Sequence, residues 1–208
     1  MIFKATCAAL LIAMSVPFAA SAAITQSFSD RATFVTAALH STSTPLGLGS
    51  PGPVFVSDFT SGDLTITGRD GGLAGDGADI VSTELDGDVL ILNFATEVFG
   101  VGLFGGVTDF DFAYIDGEIG VEAVGSGVTS FVANGGAYFG LLSDVGFTQV
   151  RVSINSFDTN ISSVGFATLQ GSVEAAVGIP EPMTWMTMIL GFGLLGSVQR
   201  FRRNVSET

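Results

Sequence analysis

The chain has 208 residues, enough for one domain plus targeting segments, and a formal net charge of −13 from 20 acidic and 7 basic residues. A body this acidic repels phosphate backbones, so nucleic acid is excluded as an expected partner. The 18 Phe, 28 Gly and 47% hydrophobic residues argue against disorder and for many short strands joined by tight turns.

In "MIFKATCAALLIAMSVPFAASAA", Lys4 supplies a positive end and Ala5 to Val16 an apolar stretch. Ala20-Ser21-Ala22 then gives the small residues that a signal peptidase reads. The pattern predicts a secretory signal peptide over residues 1–22, cut after Ala22 or Ala23 and too short to be a good spanning anchor. Cys7, the one cysteine, precedes the apolar core and so does not fit a lipoprotein cleavage point. The mature chain is expected to have no thiol, hence no disulfide, thiolate metal site or Cys nucleophile.

The body is expected over residues 23–176. Ser29-Asp30-Arg31 before "ATFVTAALH" predicts a short helix, capped by Ser29, with Asp30 at its positive end. Phe34, Val35, Ala38 and Leu39 form its apolar face. "STSTPLGLGSPGP" reads as a loop.

Strand candidates follow at short intervals: "VFVSDF", "DLTITG", "DVLILNFA", "VFGVGLF", "DFDFAYID", "EIGVEAVG", "TSFVANG", "AYFGLLS", "TQVRVSIN" and "SSVGFATL". In "DFDFAYID", Phe110, Phe112 and Tyr114 share one side. Val150, Val152 and Ile154 oppose Arg151, Ser153 and Asn155, and Phe99, Val101 and Leu103 oppose Gly100 and Gly102. A period of two puts one face in a core and one in water. With no long amphipathic helix between strands, the expected fold is all-β: an antiparallel two-sheet sandwich, jelly-roll-like, with one short N-terminal helix.

The stretch "GRDGGLAGDGADIVSTELDGD" gathers Asp70, Asp76, Asp79, Asp86 and Asp88, with Glu84 among them. Calcium takes several oxygens from Gly-rich loops, which makes these five aspartates its candidate ligands. The spacing fits neither an EF-hand nor a Gly-Gly-x-Gly-x-Asp repeat, and Asp and Gly are also what turns require. The expectation is therefore no cofactor and no metal.

Asp109, Asp111, Asp116, Glu118 and Glu122 are carboxylates of the kind glycoside hydrolysis pairs, though acidic surfaces supply such pairs everywhere. His40 is the one histidine, and no Gly-x-Ser-x-Gly elbow accompanies it. No catalytic residue is assigned.

The last segment, "VGIPEPMTWMTMILGFGLLGSVQRFRRNVSET", holds an uncharged run from Met183 to Val198. Its 16 residues would span roughly 24 Å as a helix, against a hydrocarbon core of ~30 Å. Flanking Ile179 and Phe201 and snorkelling arginine stems close that gap. A transmembrane helix is predicted over about 183–199, with a basic tail at 200–208. Arg200, Arg202 and Arg203 act as stop-transfer charges on the cytoplasmic side, and Trp185 suits the opposite interface. Pro180 and Pro182 keep the preceding residues extended and exposed.

The order Pro180-Glu181-Pro182, Trp185, apolar helix, arginine cluster resembles the PEP-CTERM sorting signal of Gram-negative bacteria. The segment 177–208 is closest to the PEPxxWA variant, from which Met186 departs in place of Ala. The resemblance implies a substrate of an exosortase, a multi-pass membrane cysteine peptidase. Pro180, Glu181, Pro182 and Trp185 would be the recognition residues, and the inner membrane a transient anchor. It further implies a cell-surface or extracellular destination and an association with exopolysaccharide and biofilm. "GAYFGLLSDVGFTQVRVSI", ending in "SSVGFATL", is similar to a block found in such bodies, with Tyr138, Phe139, Gly140, Asp144, Phe147 and Thr148 at its positions. A structural part for this block, aromatics in the core and a turn at Asp144 and Gly146, is the expectation.

The reading is a non-enzymatic exported protein able to bind carbohydrate through exposed aromatics. Its alternatives are a membrane-anchored polysaccharide hydrolase and an uncleaved type I envelope protein.

Overall fold

Two strands of 20 and 21 residues organise the molecule, and the other strands pair with them directly or through an intervening strand. The computed structural model describes residues 24–48, 54–69, 72–75, 77, 79–83, 89–124, 128–162 and 164–178. In chain order the elements begin β1 (Ile24–Phe28), α1 (Arg31–Ala38), β2 (Ser41–Pro45), β3 (Val54–Val56) and β4 (Asp58–Ser61). They continue with β5 (Leu64–Gly68), β6 (Leu73–Gly75), β7 (Asp79–Ser82), β8 (Val89–Thr108) and β9 (Tyr114–Ile115). The last are β10 (Gly117–Ala123), β11 (Val128–Val132), β12 (Ala137–Phe157) and β13 (Phe166–Ala176).

All pairings are antiparallel. The first half of β8 lies between β5 and the second half of β12, which continues to β10 and β11. The second half of β8 lies between the first half of β12 and β13. β1 flanks that half of β12, while β2 and the β7–β6–β3 run flank successive parts of β13. The result is a sandwich-like fold, as expected. Its two layers are not separate sheets, because β8 and β12 pass from one to the other as a single hydrogen-bonded network.

The passage occurs at irregularities. The β8–β12 register shifts between Leu142 and Phe147 and again before Gln149, and Ala95, Thr96 and Glu97 of β8 are exposed there. Strands change layers at such bulges and bends. Ser143 fixes the bend of β12: its hydroxyl donates to the Val145 carbonyl and accepts from the Val145 amide, at 2.8 and 3.2 Å. Asp144 and Gly146 therefore belong to a bend inside a strand rather than to a turn between two.

Between the layers lies one apolar core. Leu64, Ile66, Leu90, Leu92, Val150 and Val152 come from the first layer. Val101, Leu103, Phe139, Leu141, Leu169 and Val173 come from the second. The rings of Phe131 on β11 and Phe139 on β12 meet across the gap with centroids 5.6 Å apart. Each such side chain, fully buried, contributes about 1.5–3 kcal/mol. Within the body no thiol assists, so this burial holds the layers together.

Several expectations are corrected. Asp30, not Ser29, caps α1: it accepts from the Thr33 amide at 2.8 Å and the Thr33 hydroxyl at 2.7 Å. Phe34 and Ala38 are buried as expected, but Leu39 sits beyond the helix with φ 55° and points to solvent. The loop expected at 41–53 begins with β2, whose Ser and Thr residues pair with residues 172–176 of β13. "DFDFAYID" is mostly a turn. Asp109 Oδ1 accepts from the amides of Asp111 and Ala113, at 2.9 and 3.0 Å, and Phe112 has φ 60°. Only Tyr114–Ile115 joins the sheet, and Phe110 is 68% exposed. "DVLILNFA" and "VFGVGLF" fuse into β8, as "AYFGLLS" and "TQVRVSIN" do into β12. β6 and β7 form inside the acidic stretch, where the sequence suggests no strand.

Signal peptide 1–22 and most of 177–208, including the helix predicted at 183–199, lie outside the described residues. Among the described residues, no helix is long and apolar enough to cross a membrane.

Gly105 on β8 illustrates how close the layers' strands lie. A Cβ there would stand 2.2 Å from the Thr168 carbonyl oxygen of β13, a backbone atom that cannot swing aside. Gly105→Ala is expected to destabilise the protein by about 2–3 kcal/mol, measured as a lower urea midpoint at unchanged slope.

Candidate functional site

Where α1 rests on the outer face of the second layer, the sheet presents glycine. Gly140 of β12, Gly102 of β8 and Glu174 of β13 are register partners in one row across three strands. A Cβ at Gly140 would lie 2.7 Å from the Phe34 ring, and one at Gly102 would lie 1.9 Å from Tyr138 Oη. The missing side chains form the bed in which Phe34 lies. Phe28 packs on it edge to face with ring centroids 5.7 Å apart, and Tyr138 lies tilted against it at 6.1 Å.

Docking Phe34 fixes the start of α1 above Glu174. Glu174 is only 2% exposed, a carboxylate in the apolar run "SVEAAV" that burial without partners would penalise by several kcal/mol. It has two partners. Arg31 Nε donates to Oε1, closing an ion pair, and Tyr138 Oη donates to Oε2 at 2.9 Å. The bond to Glu174, and its charge, raise the Arg31 guanidinium further above its usual range. Burial, and then the Glu174 bond, push the Tyr138 phenol well up. Asp30 is lowered by the Thr33 hydroxyl and amide that it accepts from.

Beside this network β13 breaks register between Gln170 and Val173, with Gly171 at φ 78°. Bulges re-aim side chains in this way near sites. The bulge walls an open groove of about 570 Å³, whose polar lining includes Asp30, Arg31, Gln170 and Ser172 and whose aromatic lining is Phe104 and Tyr138. Phe104 is 38% exposed. An aromatic surface flanked by a carboxylate, a guanidinium, an amide and a hydroxyl offers stacking area with donors and acceptors of both kinds.

A second depression, about 200 Å³, is lined by Phe55, Phe110, Phe112 and Phe166. The Phe110 and Phe166 rings meet at 5.3 Å and 73°, and Phe55 is 74% exposed.

The structure treats the sequence candidates unequally. Of the calcium candidates, Asp79 lies on β7, half-buried, while Asp70, Asp76, Asp86 and Asp88 fall outside the described residues. Among the described residues no three metal-ligating side chains come together. Pro180, Glu181, Pro182, Trp185, Arg200, Arg202 and Arg203 also fall outside. Asp109 is engaged in holding its own turn. Glu118 and Glu122 share a face of β10 four residues apart, which a strand rise of about 3.3 Å sets near 13 Å between their Cα atoms. His40 is exposed just past α1, and its carbonyl accepts from the Val177 amide at 3.2 Å. In the similar block, Phe139 and Phe147 are core as expected, whereas Tyr138 is the groove's phenol.

No protein-family model matches the chain, and no curated protein matches it. Among solved structures, a mutant of the carbohydrate binding module CBM29-2 is similar with a TM-score of 0.36 and 9% identity, over 66% of this chain and 87% of that one. A family 29 carbohydrate binding module from Piromyces equi is similar with a TM-score of 0.35 and 10% identity, over 63% and 95%. Likeness at this level carries no functional weight.

The chain has two tyrosines, Tyr114 and Tyr138, and both phenols are shifted upward. Burial, and then the Asp79 charge, push Tyr114 up to about 12. A phenol raised on folding adds stability that is complete below its unfolded value near 10 and is lost as pH rises through the folded value. Tyrosinate absorbance is therefore expected to be nearly absent from the folded protein at about pH 11 and complete in denaturant at that pH. In Tyr138→Phe a single late phenolate should remain.

Proposed function

We propose that this chain is an exported, non-enzymatic surface or matrix protein whose sandwich body binds carbohydrate. Its tail, on this reading, is a PEP-CTERM signal that an exosortase reads and cleaves, after which the body leaves the inner membrane for the cell surface or the extracellular matrix. The observation that carries the body's part is the α1–β13 groove. A sugar ring has an apolar face and a rim of hydroxyls. The groove sets Phe104 and Tyr138 beside Asp30, Arg31, Gln170 and Ser172, which complement both. The groove network also supports a binding rather than a catalytic role, since Glu174 is shut from solvent and satisfied by Arg31 and Tyr138. The sorting part is supported by the order of Pro180-Glu181-Pro182, Trp185, apolar run and Arg200, Arg202, Arg203. This reading requires no cofactor.

Two experiments test it. On an array of neutral glycans the full-length chain should bind at least one class, and Phe104→Ala should weaken that binding about tenfold, the loss expected for one aromatic contact. Unchanged binding in the variant, or none in the parent, rejects the groove. Mass spectrometry of protein secreted by its own cells should find chains that end near Pro180. Recovery of intact Arg200, Arg202 and Arg203 in every fraction of an exosortase-bearing host would leave an uncleaved type I protein instead.

A further inference from the structure

The outer face of the first layer, opposite the α1 side, carries the remaining two arginines of the body. Along β12, Arg151, Ser153 and Asn155 alternate outward against the buried Val150 and Val152. Arg151 stands in a row with Glu122 of β10 on one side, and Ile91 of β8 and Thr67 of β5 on the other. Arg69 directly follows β5 and closes the same depression. That groove, about 300 Å³, is lined by Arg69, Val89, Ile91, Glu122, Arg151 and Ser153.

This placement is unusual for so acidic a body. Between Asp30 and Glu174 there are eighteen acids and three arginines. Arg31 is neutralised by Glu174. Arg69 and Arg151 are exposed, and neither forms an ion pair with a described residue, yet both line one groove. Among the described residues Glu122 is the acid that lines it, so there two guanidinium groups face one carboxylate. Guanidinium forks match carboxylates in a planar, two-bond geometry. The apolar floor of Val89 and Ile91, with the Ser153 hydroxyl beside it, suits a sugar ring that bears such a group. Further along the face lie hydrogen-bonding side chains already held in place. Gln149 Nε2 donates to Asn93 Oδ1 at 2.8 Å, and Asn155 Nδ2 donates to Ser130 Oγ at 2.8 Å.

We propose that this groove is an anionic carbohydrate site, taking the carboxylate of a uronate residue in an acidic polysaccharide through Arg69 and Arg151. The inference rests on the carbohydrate-binding reading and names a ligand class for it. The acids elsewhere on the body repel a polyanion. At physiological salt that repulsion is screened beyond about 8 Å, whereas contacts at the two guanidinium groups are not.

The test is calorimetric titration of the full-length chain, in mild detergent and physiological salt, with a short oligogalacturonate and with its fully methyl-esterified form. Esterification removes the charge and keeps the ring. The acid form is expected to bind about tenfold tighter or more, as charge-assisted hydrogen bonds imply. The double variant Arg69→Gln, Arg151→Gln should abolish that preference and keep the affinity for the ester, which also shows that it folds. Equal binding of both forms by the parent, or a preference that survives in the double variant, overturns the anionic site and leaves the neutral-glycan reading standing. Binding of neither form overturns it too. The broader reading falls only if neutral glycans also fail.

Discussion

The architecture depends on two strands that are each too long for one layer. β8 and β12 run side by side for most of their length, bend together near Glu97 and Ser143, and so supply the middle of both faces of the sandwich. A sandwich made of two disjoint sheets relies on side-chain packing alone to hold its halves in register. Here the backbone ladder itself crosses the corner. The core residues on either side of the bend, Leu90 and Leu92 before it and Val101 and Leu103 after it, are set by one continuous alternation interrupted once. That interruption must be local, since a slip of one residue would turn every later side chain to the wrong face.

From the same strands comes the site. Small residues at Gly102 and Gly140 remove the outward side chains from one row and let α1 sit low enough for Arg31 to reach Glu174. The carboxylate is then fully partnered in a place where a charge could not otherwise reside. The bulge at Gly171 and Ser172 adds the wall that converts a helix-on-sheet contact into a groove. Fold and site thus share their causes: regular alternation builds the core, and each departure from it builds part of the outer surface.

How much of this was legible in the sequence follows from the same distinction. Val150 to Ile154 alternates cleanly in the sequence because one face meets the core, and "DVLILNFA" reads as a strand whose nearly continuous apolar run hides which face is buried. "DFDFAYID" alternates just as cleanly but folds as a turn, because the Asp109 side chain offers the backbone a local partner that outcompetes the ladder. β2 has no apolar pattern at all. Its strand character comes from β13, a partner far away in the chain. The buried pair was half visible. A lone Glu in "SVEAAV" marks an anomaly, but its arginine lies 143 residues earlier, and no local pattern connects them. Ser29 and Asp30 are both good caps by residue type, and only the Thr33 contacts single out Asp30.

The position of β13 has a mechanical consequence. Its final residues, Val173–Ala176, are flanked on one side by β2 and on the other by β8, and the chain leaves the sheet directly after them. A force applied along the axis of β13 would have to shear the hydrogen bonds of two ladders at once. Among the described residues β1 has a single ladder partner, β12, so the same force along its axis would be resisted by one ladder instead of two. For forces along the strands, the body is therefore held more firmly at its last strand than at its first.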